Sequence, residues 1–229
     1  MNNKLKNTLK TSPFYSSLRS LRFDITKLRS RLRTKRMYKK YLKKNLTFPR
    51  KLHFGSGSKL IKGWLNIDLI NSDIDMDFSK GLLPFEDNSF DIIVSQHVIE
   101  HLEMEKELLP IIKELRRVLS PGGVFWISCP SILKICQSYL NDNCQSLLKG
   151  RLKRDPGYTT RGYPNSIIVN DLFYQIDEHK NLFDFKLLEK LMINSGFSNI
   201  EEINEKIFLD NIDFPKRHDD EQSLYVKAY

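Results

Sequence analysis

The chain has 229 residues, a length that predicts one domain with at most a short appendage. Forty percent of the residues are apolar and 28% are charged, which is typical of a globular protein and excludes wholesale disorder. No apolar run approaches the roughly 18 residues of a membrane-spanning helix, and the N-terminus lacks the features of a secretory signal. The three cysteines lack Cys-x-x-Cys spacing, so we expect reduced thiols in a soluble cytoplasmic protein.

Charge is distributed very unevenly along the chain. Residues 1–51 contain 17 Lys and Arg and one acidic residue, a net charge of +16. The remaining residues contain 20 basic and 27 acidic side chains, a net charge of −7. An asymmetry of this size predicts a separate role for the N-terminal part. We therefore divide the chain into a basic helical segment, 1–50, and a mildly acidic domain, 51–229.

The basic segment is predicted to form an amphipathic helix, because its apolar residues recur at intervals of three or four. This apolar stripe consists of Phe14, Leu18, Leu21, Ile25, Leu28 and Leu32. Three interpretations stay open. The stripe packs on the body of the protein or on a second copy; the helix lies on an anionic membrane surface; or the helix binds nucleic acid. The last is disfavoured because charge alone gives only non-specific affinity and no base-reading motif accompanies it.

From Lys51 onward, short apolar runs alternate with polar or glycine-rich turns and with segments of helical spacing. Strands are predicted at 51–54, 64–68, 90–94, 124–127 and 221–228, and a helix is predicted at about 103–119. The Ser-Pro-Gly-Gly sequence at 120–123 is expected to break that helix. Alternating strands and helices predict an α/β domain with a parallel sheet covered on both faces.

In such a sheet, ligands bind beyond the carboxyl ends of the strands. Gly55 and Gly57 follow the first strand, where the lack of side chains lets the backbone approach a ligand. Asp68 ends the second strand and is placed to accept hydrogen bonds from both hydroxyls of a ribose. The loop lacks the third glycine of the dinucleotide fingerprint, and its acid comes too early for that pattern. The two glycines alone are therefore a weak signal.

Further segments make the pattern more specific. They are Asp77-Phe78, 83–91, 95–102, 119–123 and Asn194-Ser195-Gly196-Phe197. Together they resemble the class I S-adenosylmethionine-dependent methyltransferases, most closely the small type-11 branch found in bacterial surface-polysaccharide synthesis. The resemblance covers roughly residues 51–197. It implies a Rossmann-like, mostly parallel sheet of seven strands, whose antiparallel last strand pairs with a strand from around 200–209.

The resemblance implies that S-adenosylmethionine is the cofactor and indicates which residues bind it. Gly55, Ser56 and Gly57 match the loop that passes under its methionine part, and Asp68 matches the acid that binds the ribose hydroxyls. The family usually opens this loop with an acidic or amide residue, whereas this chain has His53. That departure predicts that the protein binds the amino group of the cofactor differently or more weakly.

Four further positions complete the implied cofactor site. Asp77 matches the residue that hydrogen-bonds the adenine amino group, and Phe78 matches a residue that flanks the adenine ring. Ser95 and Gln96 match positions that line the methionine end and the transferable methyl group.

Methylation of an unactivated hydroxyl requires a general base within hydrogen-bond reach. His97 is the first candidate, because it follows the methyl site, and His179 is the second. Asp177 is a third candidate, either as the base or as the group that orients His179. His97 and His101 also have the i, i+4 spacing of a metal-binding pair on a helix, but a third ligand is missing, so we predict no metal site.

Residues 129–175 are predicted to be a substrate-side insertion, a long irregular region able to close over the site. Basic and aromatic side chains alternate there, which suits a phosphorylated or sugar substrate; they are Arg151, Lys153, Arg154, Arg161, Tyr158, Tyr163, Phe173 and Tyr174. Together with the resemblance to the surface-polysaccharide branch, this composition leads us to expect O-methylation of a sugar hydroxyl in polysaccharide or glycolipid synthesis. The basic helix is expected to hold the protein near the inner face of the membrane.

Two alternatives to this function stay open. One is methylation of a small metabolite or a lipid, and the other is a catalytically silent protein that kept the fold as a binding module. A nucleic-acid acceptor is disfavoured, because 95–98 lacks the Asn/Asp-Pro-Pro-Tyr sequence of amino-methylating enzymes and the body is acidic. The sequence does not indicate the oligomeric state.

Overall fold

The structure is a computed structural model that describes residues 14–44, 49–175 and 178–229. A long N-terminal helix precedes an α/β domain built on one seven-stranded sheet. The sheet is mostly parallel and its last strand is antiparallel to both neighbours. The predicted Rossmann-like fold class is therefore confirmed.

Strands and helices alternate along most of the chain. The strands are β1 (Lys51–Phe54), β2 (Leu65–Asp68), β3 (Ile74–Asp75), β4 (Phe90–Gln96), β5 (Leu119–Pro130), β6 (Glu201–Ile203) and β7 (Ser223–Ala228). The α-helices are α1 (Tyr15–Lys44), α2 (Leu109–Val118), α3 (Ile132–Asp142), α4 (Gln145–Arg154), α5 (Ile167–Tyr174), α6 (Phe185–Asn194) and α7 (Glu205–Asn211). Two 3₁₀ turns, Phe78–Lys80 and Ile99–His101, follow β3 and β4, and a π-helical turn, Met104–Leu108, precedes α2.

The strand order is β3-β2-β1-β4-β5-β7-β6. The chain moves outward from β1 to β3 on one side and then returns to β4 on the other side of β1. This reversal creates a crevice at the carboxyl ends of β1 and β4, where α/β proteins bind their ligands. The apolar runs predicted as strands are buried, as expected for strands covered on both faces.

Two predicted elements differ in their boundaries. The predicted break at 120–123 lies within β5. Phe90 pairs with Leu119 and Ile92 pairs with Val124, so the residues of the turn form an irregularity of β5 between these two pairs. The predicted partner of the last strand is short, since β6 ends at Ile203 and α7 follows. The side chain of Asn204 accepts a hydrogen bond from the Ile207 amide, 2.9 Å, and so caps α7.

The segment 129–175 contains three helices, so the prediction of a long irregular region was wrong. Its three helices, α3 to α5, bury a small apolar cluster of their own, formed by Ile135, Cys144, Leu147, Ile168 and Leu172. Apolar residues three and four apart drive this packing, and Pro156, Gly157, Gly162 and Pro164 lie between α4 and α5.

Helix α1 contacts the body through the face opposite to the apolar stripe. Met37, Tyr38 and Tyr41 pack against the main core, and Thr34 Oγ1 donates to the Asp75 carbonyl, 2.9 Å. At about 100° per residue, these positions lie roughly 180° around the helix from the stripe. The stripe residues are 40–75% exposed, so the interpretation that the stripe packs on the body is wrong. Within the part of the chain that the structure describes, no helix combines the length and apolar character needed to cross a membrane.

Candidate active site

A cavity of about 1060 Å³ lies beyond the carboxyl ends of β1, β2 and β4. The glycine loop 55–58 forms one wall, and the first half of α1 forms a second wall. Arg151, Arg154 and Arg217 lie in a third wall. Small-molecule sites usually measure about 300–1,000 Å³, so this cavity has room for a cofactor together with an acceptor.

The glycine loop has the backbone geometry of a close-approach site. Gly55 has a φ of +76°, and a Cβ atom there would lie 2.1 Å from Val98 Cγ2, so a side chain is excluded. The amides of Gly55 and Ser56 both donate to the Ile67 carbonyl, which ties the loop to β2. The buried Ser56 hydroxyl has no hydrogen-bond partner among the described residues, and Ser56 lines the cavity.

Asp68 holds the other side of the loop. Its carboxylate accepts from the Gly57 amide at 2.7 Å and from the Leu69 amide at 2.6 Å. A carboxylate offers about four acceptor positions, so two remain for the hydroxyls of a ribose. The loop and Asp68 therefore fit the nucleoside and methionine parts of S-adenosylmethionine.

Asp77 and Phe78 lie where the adenine is expected. Asp77 is buried and caps the 3₁₀ turn, accepting from the Ser79 amide and hydroxyl at 3.0 and 2.7 Å. Its second oxygen accepts from Arg31 Nε, 2.5 Å, so α1 reaches the carboxylate predicted to bind the adenine amino group. The Phe78 ring stacks on Phe54 with centroids 4.0 Å apart, which fixes its position at the cavity.

The structure separates the two residues predicted at the methyl site. Gln96 lines the cavity, whereas Ser95 is fully buried within the sheet. Successive side chains of a strand point to opposite faces, so adjacent positions at the end of β4 cannot both face the ligand. The predicted placement of Ser95 at the cavity is therefore corrected, and Gln96 alone lines it.

His53 has a structural position. Its ring lies 3.1 Å from Asn66 Oδ1 and packs edge-on against Phe214, on the face of the sheet opposite to Phe54. Burial lowers the pKa of His53 to about 4, so the ring is neutral at physiological pH. The unusual residue therefore places no charge beside the cofactor loop.

His97 lines the cavity, but both of its ring nitrogens are engaged. Nε2 lies 3.0 Å from Asp219 Oδ2 and 2.9 Å from Ser223 Oγ, and Nδ1 lies 3.2 Å from Glu100 Oε1. Burial acts to lower the pKa of His97, but the bonds to Asp219 and Glu100 outweigh it, and the pKa is raised. A protonated imidazole has no free lone pair, so this geometry favours a positioning role over the predicted role of base.

Asp219, which the sequence analysis missed, is the centre of that network. It is fully buried and accepts from Tyr225 Oη at 2.5 Å and from Arg217 Nε at 2.9 Å. Burial acts to raise the pKa of Asp219, but its bonds to His97 and the neighbouring cation lower it. No local signal pointed to this residue, since its partner His97 lies more than a hundred positions earlier in the chain.

His179 lines the cavity as predicted and has one free ring nitrogen. Its Nδ1 lies 2.7 Å from the Leu172 carbonyl, so Nδ1 carries the proton and Nε2 carries the lone pair. Burial lowers the pKa of His179, which favours the neutral ring. Asp177, the third predicted candidate, lies outside the described residues.

The basic residues of the insertion divide into two groups. Arg151 and Arg154 line the cavity, whereas Arg161 pairs with Asp171 at the surface. The aromatic residues Tyr163 and Tyr174 are exposed. Composition therefore did not indicate which of these basic residues line the cavity.

Comparisons with known proteins agree with this geometry. A family model described as "Methyltransferase domain" matches residues 53–127, a range that contains the glycine loop, Asp68, Asp77 and Gln96. The resemblance is therefore confirmed over these residues. The fold and the site define the class of the matched range: residues 53–127 belong to a class I S-adenosylmethionine-dependent methyltransferase domain.

Particular relatives share parts of this domain. The chain is 34% identical over 99 residues to the "Probable tRNA methyltransferase 9B" of Homo sapiens, a match that covers 36% of this chain and 21% of the relative. The Bos taurus protein of the same name is 33% identical over 99 residues, with the same coverage. The match thus spans about one fifth of the length of these curated relatives.

Solved structures of similar fold include one archaeal and one bacterial protein. A "SAM dependent methyltransferase from Archaeoglobus fulgidus" has a TM-score of 0.47 and 16% identity, and the match covers 87% of this chain and 93% of that one. An "S-adenosylmethionine dependent methyltransferase from Mesorhizobium loti" has a TM-score of 0.44 and 16% identity, with coverage of 96% and 99%.

Proposed function

We propose that this chain transfers the methyl group of S-adenosylmethionine to a hydroxyl oxygen of an anionic acceptor, a sugar in polysaccharide or glycolipid synthesis. The observation that carries the proposal is the arginine cluster beside His97. Arg217 shares Asp219 with His97, and Arg154 donates to Gln222 Oε1 and to the His218 carbonyl. Guanidinium groups bind phosphate and carboxylate through charge-assisted hydrogen bonds.

The reaction forms an O–C bond, breaks a C–S bond and releases the hydroxyl proton. When bound, the cofactor supplies a methyl group on a positively charged sulfur. The protein's task is to hold the acceptor oxygen in line with that methyl group and to exclude water. His179 is the proposed proton acceptor, because its ring is neutral and its Nε2 carries the lone pair.

Arg151 is the cation best placed to hold the anionic group. Its Nε is buried and has no hydrogen-bond partner among the described residues, while its guanidinium lies over the Tyr158 ring, 5.2 Å from the centroid. We expect Arg151→Gln to raise KM for a phosphorylated acceptor by about 10- to 100-fold, since a charge-assisted hydrogen bond contributes about 1.5–3 kcal/mol. Arg161→Gln, in the same segment but paired with Asp171, is the matched control.

The measurement follows transfer of a radiolabelled methyl group to phosphorylated sugars, their unphosphorylated counterparts, lipid-linked glycans and tRNA. Calorimetry with S-adenosylmethionine runs in parallel, and we expect one-to-one binding in both arginine variants. Equal rates with phosphorylated and unphosphorylated sugars would contradict the anionic acceptor. Methylation of tRNA, the substrate in the relatives' printed name, without methylation of any sugar would replace the proposed acceptor class. Cofactor binding without transfer to any acceptor would favour the catalytically silent alternative.

We also propose that α1 holds the protein against an anionic membrane surface, on the cytoplasmic side. The apolar stripe faces away from the body and is exposed. Exposed cations flank the stripe and continue beyond it; they are Arg22, Arg29, Arg33, Arg36, Lys39 and Lys43. An apolar face with basic flanks is the pattern of a helix that lies in the membrane interface.

The double substitution Leu28→Ser and Leu32→Ser is expected to weaken binding to anionic vesicles by roughly tenfold or more, because full burial of one leucine contributes about 1.5–3 kcal/mol. Co-sedimentation with phosphatidylglycerol-containing vesicles measures the effect. Leu140→Ser, at a leucine of α3 that is 78% exposed, is the control. Unchanged binding by the double variant, or equal wild-type binding to uncharged vesicles, would exclude this membrane contact. A concentration-dependent dimer lost in the double variant would instead favour pairing of two stripes.

A further inference from the structure

We propose that Glu100, His101 and His179 form a binding site for a divalent first-row transition metal in the wall of the cavity. The three side chains each offer one ligand atom, and these atoms all lie within 4.8 Å of one another. His179 Nε2 and Glu100 Oε1 are 3.9 Å apart. The two imidazole rings meet edge to face, with centroids 4.8 Å apart.

Backbone hydrogen bonds bring these residues together from distant parts of the chain. Glu100 and His101 belong to the 3₁₀ turn after β4, whereas His179 follows α5. The amides of Lys180 and Asn181 both donate to the Glu100 carbonyl, at 2.8 and 3.2 Å. The metal-binding arrangement is therefore anchored by the main chain on both sides.

The hydrogen bonds of the two histidines leave Nε2 free for a metal. His179 Nδ1 lies 2.7 Å from the Leu172 carbonyl, and His101 Nδ1 lies 3.1 Å from the Glu178 carbonyl. A carbonyl only accepts, so in each neutral ring Nδ1 carries the proton and Nε2 carries the lone pair. Orientation of one ring nitrogen by a backbone carbonyl is typical of metal-bound histidines.

Without a cation, the cluster leaves buried acceptors facing each other. The Glu100 side chain is fully buried; its Oε1 lies 3.2 Å from His97 Nδ1, and its Oε2 has no hydrogen-bond partner in the described ranges 14–44, 49–175 and 178–229. His179 Nε2 is also buried and unpartnered there, and its lone pair lies near that carboxylate. The imidazole of His97 offsets the carboxylate charge from one side only, at 3.2 Å. Buried polar groups without partners are costly, and a metal ion between the oxygen and the nitrogen satisfies both.

Two imidazoles and one carboxylate suit Zn²⁺, Co²⁺, Mn²⁺ or Fe²⁺ rather than Ca²⁺ or Mg²⁺, which prefer oxygen ligands. Ligand atoms around a tetrahedral Zn²⁺ lie about 3.4 Å apart, so side-chain movements of about 1 Å complete the site. Three protein ligands leave at least one coordination position, and His101 and His179 both line the cavity. An open coordination position would therefore face the cavity.

The pair of histidines noted in the sequence is not this site. His97 turns toward Asp219 and Ser223. The residues between His97 and His101 form a 3₁₀ turn instead of an α-helix, so the i, i+4 relation does not place both rings on one face. The third ligand comes from His179, which no local spacing could indicate.

A role in catalysis rests on the proposed function. A metal at this position would occupy the lone pair of His179 Nε2, so His179 would then be a ligand and no longer the proton acceptor. The metal would instead bind the acceptor hydroxyl and lower its pKa, so that the proton leaves to solvent before the oxygen attacks the methyl group. Metal binding itself requires neither cofactor nor acceptor.

The test titrates the full-length, chelator-treated protein with Co²⁺ and then displaces it with Zn²⁺, using visible absorbance and calorimetry as readouts. All samples carry Cys136→Ser, because Cys136 is an exposed thiol able to bind metal by itself. We expect one equivalent of bound metal. His101→Gln and His179→Gln should each weaken binding by about 100-fold or more, since even loss of an outer hydrogen bond weakens metal sites by 10- to 100-fold.

His218→Asn is the matched control, since His218 is exposed and lies outside the cluster, and Asn tolerates its positive φ. Circular dichroism and thermal unfolding of the metal-free variants establish that they are folded, and Glu100→Gln provides a third ligand substitution. Absence of a Co²⁺ spectrum, or equal Co²⁺ affinity in folded ligand variants and control, would overturn the site. Metal binding with no methyl transfer would refute the proposed function while leaving the metal site intact.

Discussion

Replacing Asp68 with Ala is expected to weaken S-adenosylmethionine binding by about 100-fold or more. The carboxylate has two free acceptor positions for the ribose hydroxyls, and each charge-assisted hydrogen bond contributes about 1.5–3 kcal/mol. The substitution also removes the acceptor of the Gly57 amide, which lies 2.7 Å away and holds the glycine loop in place. Asp68→Asn keeps the shape and loses the charge, so we expect an intermediate loss.

Calorimetric titration with S-adenosylmethionine and with S-adenosylhomocysteine measures this effect. Asp210→Asn, at an exposed position of α7, serves as the control for loss of one negative charge. Wild-type affinity in Asp68→Ala would mean that the cofactor lies elsewhere. A parallel loss of thermal stability in the cofactor-free variant would instead indicate that Asp68 acts mainly through the loop.

Replacing Asp219 with Ala is expected to lower the free energy of unfolding by about 3–5 kcal/mol, the usual effect of removing one partner from a buried ion pair. The substitution leaves Tyr225 Oη without its acceptor and His97 without its closest carboxylate. Arg217 also loses its partner at 2.9 Å. Because the total stability of a domain is about 5–15 kcal/mol, this is a large fraction.

Urea unfolding monitored by circular dichroism measures the change, and Asp213→Ala, exposed on the same connecting segment, is the control. The pKa of Asp219 is lowered in the folded protein, so its contribution is present above the unfolded pKa of about 3.9 and is lost as pH falls toward the folded value. The difference between wild type and Asp219→Ala should therefore shrink below about pH 4. A pH-independent difference would mean that lost packing, rather than charge, causes the destabilisation.

Helix α1 links the two proposed surfaces of the protein. Its inner face reaches the cavity and pairs Arg31 with Asp77, while its outer face carries the exposed apolar stripe. A helix held on a membrane by its outer face would place the cavity close to the lipid surface. This arrangement suits an acceptor that is attached to a lipid.

The sequence by itself determined the fold class and the position of the glycine loop. Strand–helix alternation, the two glycines after β1 and the acid at the end of β2 are local features, and local features are what periodicity and spacing report. The strands at 51–54 and 90–94 are confirmed, as is the antiparallel last strand. Ser95 was misplaced because a motif match does not indicate which face of a strand a residue occupies.

Only the tertiary structure decided which distant groups meet. Asp219 joins His97, and His179 joins Glu100, across gaps of about 80 to 120 residues that leave no trace in local spacing. The apolar stripe of α1 was visible in the sequence, but whether it faces the body or the solvent was not. Periodicity shows which residues share one face of a helix, and it does not show what that face contacts. Its opposite face packs on the body because Met37, Tyr38 and Tyr41 find apolar partners there, and this complementarity exists only after the sheet has formed.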